Sequence, residues 1–186
     1  MSIKSLKDII NQQKREEEDS SEDSFIPEEQ IEEYKSLLEQ LYKLTTDALS
    51  ELINENLIQV KKEKINIYEE SLGNYDVDML LLTINSNKIK FVPAGTMLIG
   101  SKGRVDVYGP FGSEKFMLIR KGISKPGDLI KVSISGQSGK IQTSTPKKLT
   151  IDDWEWKTLP SESKWMKFDD VTSETITDLV MRMING

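Results

Sequence analysis

From Lys64 onward the apolar residues of this chain recur at every second position, in short runs broken by turn residues. This period confines the second half of the molecule to pleated strands. KINIYEE sets Ile65 and Ile67 between polar neighbours, while VDMLLLTI (77–84) is apolar on both faces and reads as a strand covered on both sides. KIKFV, TMLIG, RVDVYG, EKFMLIRK, DLIKVSIS and GKIQTST follow. They are separated by turn chemistry such as Asn85-Ser86-Asn87, Pro93-Ala94-Gly95, Gly100-Ser101-Lys102-Gly103 and Gly109-Pro110-Phe111-Gly112. Strands at roughly 10–12-residue spacing predict an antiparallel meander of about seven to eight strands, closed as a β barrel or folded as a sandwich. Closure would remove exposed strand edges.

Ahead of it the period is helical. Pro27 opens a segment with Glu28, Glu29, Glu32 and Glu33 near its positive end. Ile31, Tyr34, Leu38, Leu41, Thr45, Ala48 and Leu52 then follow at alternating steps of three and four, which predicts a long amphipathic helix over 27–58. About 28 helical residues would span about 42 Å, more than one face of a small β domain needs. The surplus points to self-association or partner docking through Tyr34, Leu38 and Leu41. Further upstream, Ile3, Leu6, Ile9 and Ile10 form a short amphipathic segment, and Ile3, Leu6 and Ile10 are candidate partner contacts. It is joined through KREEEDSSEDS (14–24), which has no apolar residue and reads as a flexible linker, so 1–26 stands apart from the helix.

At the other end, Leu149 and Ile151 are apolar at odd positions and Trp154 and Trp156 at even ones. Alternation must slip near Asp152-Asp153, as a bulge or bend. The two tryptophans are then expected on one face, with Asp153, Glu155 and Lys157 outward. The β domain is placed at 64–158. A loop and a C-terminal capping helix at 159–186 start among Asp170 to Ser173 and carry Ile176, Leu179, Val180, Met183 and Ile184 on one stripe. The fold class is therefore α+β. The run GTMLIGSKGRVDVYGPFGSEKFMLIRKG, with WEWK and VMRMING after it, resembles a group of small uncharacterised bacterial proteins over residues 91–186. That resemblance implies a fold type and brings no activity with it.

The 186 residues contain neither cysteine nor histidine, which excludes thiol nucleophiles, disulfides, Cys/His zinc sites and imidazole-based triads. The carboxylate pairs Glu69/Glu70 and Asp152/Asp153 are adjacent, so in a strand their members point to opposite faces; Asp76/Asp78 lacks a third ligand. Asp170 is more simply a helix-start residue. No metal site, cofactor or catalytic set is expected. The methionines with Trp154 and Trp156 are expected in the core rather than around a cofactor. The first nineteen residues lack the apolar stretch of a signal peptide, and no window approaches a membrane span. The expected location is the cytoplasm, without membrane association.

The net charge of −6 is unevenly spread. Residues 1–60 carry six basic and fifteen acidic side chains, whereas 61–150 carry fifteen basic and eight acidic ones. In Gly100-Ser101-Lys102-Gly103-Arg104, glycines and two cations offer a phosphate nest, although RVDVY continues as a strand and the run lacks the Walker pattern. A hairpin turn explains the same glycines. Lys88 and Lys90 share one strand face, and with Lys102 and Arg104 they are the candidate phosphate or nucleic-acid contacts; Tyr108 or Phe111 would stack on bases. Two readings follow: a non-enzymatic adaptor associating with itself or a protein partner through its N-terminal helix, and a nucleic-acid-binding β module autoinhibited by its acidic head.

Overall fold

The computed structural model describes residues 26–96, 101–126, 149–159 and 167–185. Helix α1, Pro27–Ala48, begins with Pro27 in its first turn and Glu28 and Glu29 beside it. It is shorter than the periodicity suggests. The Thr45 hydroxyl donates to Leu41 O at 2.9 Å and the Thr46 hydroxyl to Lys43 O at 3.1 Å, side-chain bonds that compete with the helical ladder near its end. The helix breaks at Leu49 and resumes as α2, Ser50–Asn54. Asn56, at φ 59°, then ends it: Asn56 N donates to Ile53 O and Leu57 N to Leu52 O, a left-handed cap. The expected rod over 27–58 is thus a 22-residue helix, about 33 Å long, followed by a corner.

The strands are β1 (Gln59–Glu69), β2 (Gly73–Ile84), β3 (Asn87–Gly95), β4 (Gly103–Gly109), β5 (Gly112–Arg120), β6 (Trp154–Leu159) and β7 (Asp169–Asp170). They form one seven-stranded sheet in sequence order, every neighbour antiparallel. The meander is as expected; its closure is not. Among the described residues β1 and β7 are the two edges and do not pair, so the sheet is open rather than a barrel, and no second sheet faces it. Helices supply the cover that closure or a second sheet would have given. Helix α3, Ser173–Asn185, packs beside α1 and over β3, β4 and β5. The expected strands at 128–135 and 139–145, and residues 97–100 of TMLIG, lie outside the described residues.

Burial follows from strand parity. Leu80 and Leu82 of β2, Ile89 and Phe91 of β3, Val105 and Val107 of β4, Phe116 and Leu118 of β5 and Trp156 of β6 point at the helices. Phe91 and Phe116 stack with centroids 6.0 Å apart. Long-range hydrogen bonds fasten α1 to the sheet, among them three from its aromatic contacts to backbone carbonyls. Tyr34 OH donates to Arg104 O at 2.8 Å, Tyr42 OH to Asp78 O at 2.6 Å, and Trp156 Nε1 to Leu37 O at 2.8 Å. Burial raises both tyrosine hydroxyls far above their usual pKa, so they remain donors.

The far end of the β1–β2 hairpin is clamped to the end of β3. The Glu69 carboxylate accepts from Thr96 N at 2.9 and 3.0 Å and from the Tyr75 hydroxyl. Gly95 sits at φ +116° so close to this carboxylate that a Cβ would lie 2.9 Å from Glu69 Cδ. Only glycine serves there.

The slip before the tryptophans is resolved as a 3-10 turn, Ile151–Asp153, rather than a bulge. Thr150 and Asp153 cap it reciprocally, so Asp153 belongs to the turn and β6 starts at Trp154. Asp170 is not a helix-start residue. It lies in β7, where it binds Lys157, and α3 opens instead with Thr172 and Thr175 bonded to each other's backbone N–H. No described helix is long and apolar enough to cross a membrane.

Candidate functional site

The Ser101–Arg104 loop is tied to its own chain. Lys102 Nζ pairs with Glu33 of α1 and stands 5.5 Å from the centre of the Trp154 ring. Arg104 Nε is 3.0 Å from Asp106 Oδ1, and Nη2 donates to Oδ2 at 3.1 Å. The Ser101 hydroxyl lies 2.8 Å from Gly103 O and 2.9 Å from Leu118 O. Gly103 is required by packing: a Cβ there would meet Tyr34 Cε2 at 2.6 Å. Two of the four candidate phosphate contacts, Lys102 and Arg104, are therefore engaged by carboxylates, and the glycine serves a tyrosine ring.

The helix residues expected to meet a partner are inside the molecule. Tyr34, Leu38 and Leu41 are 1%, 2% and 0% exposed. Their stripe faces this chain's own sheet, because α1 provides the cover that the open sheet lacks. Ile3, Leu6 and Ile10 lie outside the described residues. What α1 and its extension leave in solvent is Leu44, with Leu52 and Leu57 of the cap. Among the described residues no three carboxylates gather as a metal site. Asp76 accepts from Asn66 Nδ2 at 2.9 Å, on the wall of an open cleft of about 720 Å³ between α1 and the β1–β2 hairpin.

The remaining candidates, Lys88 and Lys90, converge with residues from two further strands. They occupy the face of β3 turned away from the helices. Register places Lys90 opposite Tyr108 of β4 and Lys88 opposite Thr83 of β2. On β5, Lys115 pairs with Asp106, and Ser113 pairs with Tyr108, so Lys115 lies on the same face, diagonal to Tyr108. Lys88, Lys90 and Lys115 are exposed, and Tyr108 is 50% exposed. Other charges of this face are paired: Lys61 with Glu63, Arg104 with Asp106, and Lys157 with Glu155 and Asp170. Among the described residues no carboxylate lies at ion-pair distance from Lys88, Lys90 or Lys115.

The charge of this surface shifts three of its groups. The hydrogen bond from Lys61 holds the Glu63 carboxyl below its usual range, and the fields of Lys90 and Lys88 add to the effect. At the β6–β7 edge, burial lowers the Lys157 ammonium, but the Asp170 and Glu155 carboxylates outweigh it and leave its pKa raised; Lys157 in turn lowers Asp170. Lys115 was not among the expected contacts. The alternation in EKFMLIR puts it on the polar face, but only register shows which lysines it neighbours. No family model, curated protein or solved structure matches this chain.

Proposed function

We propose that the protein is a binding module that engages a polyanion through the face of its sheet turned away from α1 and α3, with Lys88, Lys90 and Lys115 as the charge contacts. The observation that carries this reading is three exposed lysines, two on β3 and one on β5, on the same face as Tyr108 of the intervening β4 and, among the described residues, without a carboxylate at ion-pair distance. An unpaired cation on a flat surface keeps its field available to a ligand, whereas Lys102 and Arg104 spend theirs within the chain. The overall charge of −6 does not oppose it, since screening at physiological salt limits a charge's reach to about 8 Å. The acidic head is the natural intramolecular competitor.

Affinity for a heparin or polyphosphate probe should fall steeply with salt, with a log–log slope of about −2 for three phosphate contacts. Lys88→Glu/Lys90→Glu should remove at least about tenfold of the affinity and flatten that slope by about 1.4, the share of two of the three contacts. Glu16→Gln/Glu17→Gln/Glu18→Gln in the full chain should tighten binding. A salt-independent affinity would end this reading.

The adaptor reading keeps one observation in its favour: Leu44 is 46% exposed on α1, near Trp154, Trp156 and Val171. The partner would be a second copy of the chain. Leu44→Glu should then turn dimer into monomer in sedimentation velocity; a wild type that sediments as a monomer at all concentrations rejects it.

A further inference from the structure

Resting on the polyanion reading of the same face, we infer that the ligand is single-stranded nucleic acid and that Tyr108 is its stacking platform. Lysines alone do not distinguish a nucleic acid from any other chain of negative charge. An aromatic ring set among them does, because only a nucleic acid alternates phosphates with flat π systems. Tyr108 is paired in register with Lys90, and neighbouring strands lie about 4.8 Å apart. A base lying on this ring brings its own phosphates within reach of Lys90 across the strand pair, Lys88 two residues along it, and Lys115 on the opposite diagonal.

The ring is also placed in advance. Its strand is pinned between β3 and β5, with Val107 and Val105 on the other face fully buried. The following turn is held by α3: Phe111 N donates to Met183 O at 3.2 Å, and Gly109 is pressed against Met183, where a Cβ would be 2.6 Å from Met183 Cβ. The turn leaves Phe111 59% exposed, three residues beyond Tyr108, as a second aromatic for an adjacent base. Ordering such a platform costs little on binding because it is ordered already. A duplex hides its base faces within its own stack, so the arrangement favours an unpaired strand.

The test compares two probes on the full chain at about 100 mM salt: a labelled single strand of about a dozen nucleotides, and inorganic polyphosphate. Tyr108→Ala should weaken the oligonucleotide roughly tenfold while leaving polyphosphate unchanged, and Tyr108→Phe should retain the wild-type affinity. Lys88→Glu/Lys90→Glu should weaken both probes. Thermal melts of the Tyr108 variants, an exposed position, should match wild type. If Tyr108→Ala affects both probes equally or neither, stacking is wrong and the polyanion reading stands. If wild type binds neither probe, both are wrong.

Discussion

Gly103→Val is expected to destabilise the protein by about 3 kcal/mol, read as a lower urea midpoint at unchanged slope. The position lies against the Tyr34 ring, where a Cβ would sit 2.6 Å from Cε2 and 3.0 Å from Cδ2. The ring cannot swing aside cheaply. It is 1% exposed, its hydroxyl is bonded to Arg104 O, and α1 carries it as part of a stripe buried along its length. In a Tyr34→Leu background the added cost of Gly103→Val should fall by more than half, since the two groups occupy one space and their effects cannot add. A near-neutral Gly103→Val would show that the glycine answers to something other than the ring.

Arg182→Met should cost about as much, by a different route. Glu114 of β5 is buried, its side chain 6% exposed, on the helix side of the sheet. Arg182 of α3 reaches it with two donors, Nε at 3.0 Å and Nη2 at 2.7 Å, both to Oε1. The Thr158 hydroxyl, at 3.5 Å from Oε2, is a weak substitute. Without the guanidinium a carboxylate stays in the core uncompensated, at a cost of about 3 kcal/mol, the low end for such pairs because Arg182 itself is half exposed. Glu114→Gln/Arg182→Met should recover most of the loss, because the neutral amide no longer requires a countercharge. A double variant no more stable than Arg182→Met would place the cost in lost helix packing instead.

Both predictions concern helix-to-sheet contacts, which are the part of the molecule least visible in one dimension. Alternation in KIKFV and RVDVYG correctly separates Lys88 and Lys90 from Ile89 and Phe91, and the stripe Ile176, Leu179, Val180, Met183 marks the buried side of α3. The slip at Asp152-Asp153 was also legible as a break in parity, though its form, a capped 3-10 turn, depended on Thr150. The Tyr34 stripe announces burial without saying against what. An amphipathic helix looks the same whether its cover is its own sheet or another subunit, and the choice turned on whether the sheet closed upon itself. The loop Gly100–Arg104 misled for a related reason: its glycine and cations look available until Glu33, Asp106 and Tyr34 are seen to occupy them.

Residue order alone determined the period of each element and the side chains that share a face, because the pleat and the helical turn are local properties of the backbone. Tertiary structure alone decided that, among the described residues, the sheet stays open, that α1 and α3 take one of its faces, and that Lys88, Lys90, Tyr108 and Lys115 share the other. Register between strands and the choice of covered face come from the packing of the whole molecule, in which contacts distant along the chain are optimised together.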